Sequence, residues 1–382
     1  MKTTRHNLKR PRRGLTLIEL LVVVFIILAV SAAVVPVLAP TAAGRRQREA
    51  ARVVSTFISG ARTRAIEIGR PAGIWLQGTT GDRGSVVTLS YCEVPPPYSG
   101  VTLNATVTTQ VNAGVTEITS MTPSAPIGMI RLGDLIRLNF GAAIFQITQG
   151  PIDTNNGFVA EDRFLDDPSV MPWTLEPVLT TAPATIPNGT YAFQIFRQPR
   201  KSAGASIELP PGTAIDLYYS GDDRSSLLPR SNSSEKYYDG NETALNATST
   251  SGIVGHNEPV IVLFGSNGTP DSVFRLSVSN NPPAAFSDLL WGGTAMTRPL
   301  YLLVGKAEKV DAQADLTLPP SDDLSSNLID PANYWVSINP HTGAVSTDPV
   351  PVVDQITGGP TAFPLVQRSR AFAIEKLGIG GR

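Results

Sequence analysis

Cysteine and histidine are almost missing from this chain of 382 residues. Cys92 is the only cysteine, so no disulfide can close within the chain and packing must hold whatever fold forms. Three histidines occur, His6, His256 and His341, none with a cysteine or second histidine at ligand spacing, so no metal centre is expected. No Gly-x-Ser-x-Gly elbow, P-loop or dinucleotide fingerprint is present, and we expect neither catalytic residues nor a cofactor. Charge is also sparse, at 16% of residues, and it is unevenly placed. Lys2, Arg5, Lys9, Arg10, Arg12 and Arg13 all precede Gly14, with no acid among them. Without those six, 25 basic residues face 32 acidic ones, a net of −7 where the whole chain has −1. A nucleic-acid binder shows the opposite balance, and no nucleic-acid partner is expected. One basic loop, from Arg197 to Lys201, runs against this.

What the chain has in abundance is Gly, Pro, Ser and Thr, with 33 Gly and 32 Pro, which points to a β-rich, loop-rich body. Before that body stands a very different stretch. Arg12-Arg13-Gly14-Leu15-Thr16-Leu17-Ile18-Glu19 leads into an apolar run from Leu20 to Ala39. From Leu15 to Ala39 there are 25 residues, ~37 Å of helix at 1.5 Å each, enough to span a bilayer core. The basic residues ahead of it place the leader in the cytoplasm and the rest of the chain outside. Glu19 is the only ionisable side chain in the run, and a charge at that depth needs a partner or a function. An ordinary secretory signal, cut near Ser31-Ala32-Ala33, gains nothing from it. Pro36 removes a helical hydrogen bond and crowds the carbonyl of Ala32, and Pro40 repeats this one turn on, so a kink is expected there.

A basic leader, Gly, a hydrophobic residue, Thr-Leu-Ile-Glu and a long apolar run resemble the class III signal of type IV pilins and pseudopilins. The resemblance implies cleavage between Gly14 and Leu15 by a prepilin peptidase, N-methylation of Leu15, and retention of the apolar helix. It also implies that Glu19 pairs with the free amine of a neighbouring subunit during filament assembly. Leu15 stands where most members have Phe, and the disulfide-closed C-terminal loop of many pilins has no counterpart here. The phrase Leu209-Pro210-Pro211-Gly212 followed by Ile215-Asp216-Leu217 resembles the head of the H-type minor pseudopilins of type II secretion. Partners implied are other pilin or pseudopilin subunits, the peptidase, the membrane and an inner-membrane assembly platform. The location implied is the bacterial inner membrane, with the head in the periplasm, and then a filament.

Beyond Gly44 the period changes. Ala50, Val54, Phe57, Ile58, Ala61, Ala65 and Ile68 recur at spacings of three and four, which predicts an amphipathic helix over 44–69, ended by Gly69-Arg70-Pro71. Arg45, Arg46 and Arg48 suit either anionic headgroups or a solvated face. The rest reads as strands: 74–76 and 86–91, then 135–140, 143–147, 191–196, 207–217, 259–264, 273–278, 300–305 and the hairpin of 334–339 with 345. Alternation at Val101, Leu103, Ala105 and Val107 predicts another strand. Residues 95–190 form an insertion whose acidic patch, Glu161-Asp162 and Asp166-Asp167, lacks EF-hand spacing and reads as a solvated loop. The resulting division is a leader (1–14), an N-terminal helix (15–70, with 15–39 transmembrane), a head (71–350) and a C-terminal tail (351–382) with a short helix over Arg368–Leu377. The fold class is α+β: a long helix, membrane-spanning in its first half, packed by its second half on an antiparallel β-rich head. Two functions compete, a structural filament subunit and a minor pilin whose head captures DNA or adheres to a surface.

Overall fold

The computed structural model describes residues 17–79, 84–112, 114–126, 129–131, 133–149, 173–178, 185–204, 206–223, 226–227, 259–278, 289–310, 316, 318–320, 322–352 and 362–379. The acidic patch at 161–167 and His256 lie outside these residues. The chain divides into two compact units, Met1–Arg46 and Gln47–Arg382. Helix α1 is assigned from Leu17 to Ile68 without interruption, so the backbone stays helical through Pro36 and Pro40.

In chain order the strands are β1 (Ala72–Leu76), β2 (Ser85–Val86), β3 (Thr88–Glu93), β4 (Thr106–Asn112), β5 (Val115–Thr122), β6 (Leu135–Leu138), β7 (Ile144–Gln149), β8 (Trp173–Pro177) and β9 (Gly189–Phe196). They continue with β10 (Arg200–Lys201), β11 (Ile207–Glu208), β12 (Thr213–Gly221), β13 (Val260–Phe264), β14 (Pro270–Val278), β15 (Leu289–Ala295), β16 (Leu300–Lys306), β17 (Tyr334–Ile338) and β18 (Val345–Pro349). A second helix, α2, spans Ala362–Ile379. The structure is therefore α+β, with antiparallel sheets.

Two sheets make the head. One runs β10-β3-β1-β13-β14-β15, with β11 also paired to β3; the other runs β18-β17-β16-β12-β2. The expected hairpins are there: β13 pairs with β14, with Val262 opposite Val273, and β17 pairs with β18, with Ile338 opposite Val345. Both sheets turn apolar side chains to a common core, which holds Ile74, Leu76 and Val262 from one and Ile215, Leu302 and Val336 from the other. The second half of α1 fills it with Ala50, Ala51, Val54, Phe57, Ile58, Ala61 and Ala65, all buried. Small residues dominate that stripe because a helix over a sheet needs close approach as much as apolar area.

The insertion differs most from its expected form. Its six strands close into a barrel in the order β4-β5-β8-β7-β6-β9, every pair antiparallel. Trp173, Phe193, Ile118, Ile136 and Ile195 fill the inside, a core separate from that of the head. A six-stranded barrel is narrow enough for side chains to fill it completely. The strand expected around Val101–Val107 starts instead at Thr106, leaving Val101 and Leu103 exposed. Strand β9, expected to return to the head, completes the barrel, so the insertion runs on to about Pro199. Its base is closed where Arg200 of β10 pairs with Glu93 of β3 and where Tyr98 and Ile195 exchange backbone hydrogen bonds of 2.8 and 2.7 Å.

Where the sequence predicts a tail over 351–382, α2 docks on the outer face of the second sheet. Leu365, Val366 and Ala373 pack with Tyr301, Leu303 and Trp335. The Trp335 indole donates to Ser369 Oγ at 2.8 Å. The Arg370 guanidinium lies over the rings of Tyr301 and Trp335, at 5.7 and 5.6 Å, and donates to the Tyr219 carbonyl. An apolar sheet face needs a cover, and this helix supplies it.

Candidate assembly segment

Twelve large apolar residues between Leu17 and Val30 are exposed in the single chain, Leu17 at 82% and Phe25 at 69% among them. They cover the helix all round, whereas a surface helix of a globular head has a polar face. Burying each large side chain is worth roughly 1.5–3 kcal/mol, so the segment is built to be covered by something other than its own chain. Among the described residues, no helix is long and apolar enough to cross a membrane. Side chains of 32–43 are not among them, and Gly14 and Leu15 also lie outside them.

Glu19 sits in the first turn of α1, where a carboxylate opposes the positive end of the helix dipole. That accounts for its local tolerance but not for its apolar surroundings: Leu17, Ile18, Leu20 and Leu21 flank it. Pro36 and Pro40 are carried inside the helix.

From Gln47 onward α1 is fastened to the head by specific contacts. Phe57 stacks on Tyr91 of β3 with ring centroids 4.0 Å apart and planes within 7°. Gly60 lies under the same tyrosine, where a Cβ would meet the hydroxyl at 2.5 Å. Arg64 donates through Nε to Glu93 at 2.8 Å, and Arg70 approaches the same carboxylate at 3.9 Å. Arg62 donates to the Gly268 carbonyl at 3.0 Å, in the β13–β14 turn. Arg48 donates to the Tyr334 hydroxyl at 3.0 Å, and this bond raises its pKa. Of the three arginines assigned to headgroups or solvent, Arg48 thus has a partner on the head, while Arg45 and Arg46 are exposed. Burial raises the Tyr91 phenol and pushes the Cys92 thiol far up, so Cys92 is an inert core residue. Sequence reasoning found the apolar stripe by its period. It missed the Phe57–Tyr91–Arg64–Glu93 cluster, whose halves come from separate elements, α1 and β3, with no shared motif.

The basic loop is engaged too. Arg197 donates to the Pro96 carbonyl at 3.1 and 2.8 Å, and Arg200 to the Met129 carbonyl at 2.6 Å, while Lys201 is exposed. No group of metal-ligating side chains occurs among the described residues.

Residues 9–35 match the family model of the prokaryotic N-terminal methylation motif. No curated protein and no solved structure matches the chain. The chain thus carries a type IV pilin-like prepilin signal, the mark of proteins processed by a prepilin peptidase and assembled with other pilin subunits.

Proposed function

We propose that the protein is a minor pseudopilin of a type II secretion system, or the equivalent subunit of a related type IV pilus. A lone acid in an otherwise apolar, outward-facing helix, directly behind a basic leader, carries this reading. In it, the peptidase cuts between Gly14 and Leu15 and Leu15 is methylated. The helix from Leu15 to Ala39 then crosses the inner membrane once, leader inside and head in the periplasm. Extracted into a filament, the helix meets those of neighbouring subunits, and Glu19 pairs with the Leu15 amine of an adjacent copy in an apolar core. Pro36 and Pro40 each lack a backbone N–H, which gives the helix a place to bend as it leaves the bilayer for the filament. The resemblance of the Leu209–Leu217 phrase to H-type heads supports a minor, tip-associated position. The role is structural, not enzymatic. The rival reading, a head that captures DNA, is disfavoured by the acidic body and by the work Arg197 and Arg200 do at the barrel base.

The test is the mature N-terminus. Mass spectrometry of the protein from its native membrane is expected to find a chain that begins at methylated Leu15. A mature chain that begins near Ala33 would overturn the reading.

A further inference from the structure

Beyond its apolar run, α1 carries Arg45, Arg46, Arg48, Arg52, Arg62 and Arg64. Four of the six are engaged. Arg48 donates to Tyr334, Arg62 to the Gly268 carbonyl and Arg64 to Glu93, each fixing the helix to the head. Arg52 donates to both carboxylate oxygens of Glu49, through Nε at 2.9 Å and Nη2 at 2.6 Å. Glu49 is the only acid within four residues of Arg45 or Arg46, so this pair takes up their nearest counter-charge along the chain. Arg45 and Arg46 are exposed, and among the described residues no carboxylate forms an ion pair with either.

Their height along the helix is informative. Leu17 and Arg45 lie 28 residues apart on one unbroken helix, ~42 Å at 1.5 Å per residue. A bilayer with both headgroup layers is ~40–45 Å thick. A helix that enters the membrane at Leu17 therefore brings Arg45 and Arg46 to the far headgroup layer. The positive-inside rule favours basic residues on the cytoplasmic side, where six already stand, so two more at the opposite end work against the orientation the leader imposes. Helix propensity does not ask for arginine either, since glutamine or glutamate serves an exposed helical position about as well. What arginine adds is a planar fork of N–H donors that matches a phosphate.

We propose that Arg45 and Arg46 bind the phosphate groups of anionic phospholipid in the leaflet nearest the head. The inference rests on the proposed membrane crossing of α1 and names the lipid recognised where it ends. Each guanidinium can give a phosphate two parallel hydrogen bonds, and an anionic surface adds an attraction that a zwitterionic one lacks. Extraction into a filament must then strip these headgroups, so a membrane richer in anionic lipid holds the subunit more firmly.

The test uses the full chain with Gly44→Cys, labelled with a fluorophore and reconstituted in phosphatidylcholine vesicles. A side chain begun at residue 44 meets nothing within 4 Å, and Cys92 is buried away from the label. Spin-labelled phosphatidylglycerol is expected to half-quench the fluorophore at about a thirtyfold lower membrane fraction than spin-labelled phosphatidylcholine, the worth of two arginines beside an anionic surface. Adding Arg45→Gln and Arg46→Gln is expected to erase that difference, while lysine at both positions keeps most of it. Equal quenching by the two lipids overturns the proposal and leaves the membrane crossing intact. So does a preference that survives the glutamine pair, which would belong to the leader. A preference abolished by inorganic phosphate, but not by sodium chloride of the same ionic strength, also overturns it, since the arginines would then serve a free anion. Quenching by neither lipid removes the crossing itself, and this inference with it.

Discussion

Asp134 shows how much a single side chain can reveal. It is 1% exposed and accepts the backbone N–H of Arg131 and of Gln198, both at 2.9 Å. Burial nonetheless outweighs these bonds and the nearby Arg200, pushing its pKa from 3.8 up to about 6. The folded protein therefore holds this proton at pH values where the unfolded chain has released it. Its stabilising contribution is complete below about pH 4 and is lost as pH rises through about 6. Denaturation of wild type and Asp134→Asn across pH 4–7 is expected to show wild type losing as much as ~3 kcal/mol relative to the variant, most of it before pH 6.5. Glu19 makes a different prediction. Glu19→Ala is expected to insert in the membrane normally and to be largely absent from filaments, checked by comparing membrane and filament fractions. Normal incorporation would remove Glu19 from the assembly contact. Glu19 stands out in the sequence because a charge in an apolar run contradicts its surroundings. The burial of Asp134 and the left-handed backbone of Asn139 and Phe140, at φ 47 and 53, do not, since neither leaves a trace in a short string such as Leu-Asn-Phe-Gly.

Among the elements, α1 was the most legible, because periodicity sustained over several turns is a local property. Its second half buries Val54, Phe57 and Ile58 against both sheets, at roughly 1.5–3 kcal/mol for each such residue. A protein starting at Thr41 is expected to be soluble, monomeric and β-rich, and one starting at Gly69 to aggregate, as circular dichroism and gel filtration would show. Equal behaviour of the two would mean that the helix is only a tether. The hairpins β13–β14 and β17–β18 were also legible, as two apolar alternations on either side of a Gly turn. Helix α2 was harder to see. Its stretch begins with Phe363-Pro364 and ends among glycines, so propensity alone argues for a tail. Docking on Trp335 and Tyr301 overrides that propensity, and such tertiary contacts cannot be read from a window of sequence.

At the scale of the molecule, the insertion was visible as a change of texture after Pro95-Pro96-Pro97, but its closure was not. Closing a barrel needs β4 to find β9 with β5 to β8 lying between them in the chain, and single strands carry no label for a distant partner. Since the barrel has its own core, replacing residues 95–198 by a short Gly-Ser linker is expected to leave a folded head. Circular dichroism and a cooperative thermal transition would verify this, and loss of cooperativity would show that the two cores depend on each other. The paired base, Glu93 beside Arg200 and Tyr98 beside Ile195, also sets how the protein bears load. Tension drawn along the chain from α1 to the closing strands can pass directly from β3 to β10 across these bonds, so the whole insertion hangs in parallel with the pull, not in series. While that clasp holds, tension carried along the chain does not stretch the barrel, which keeps its shape.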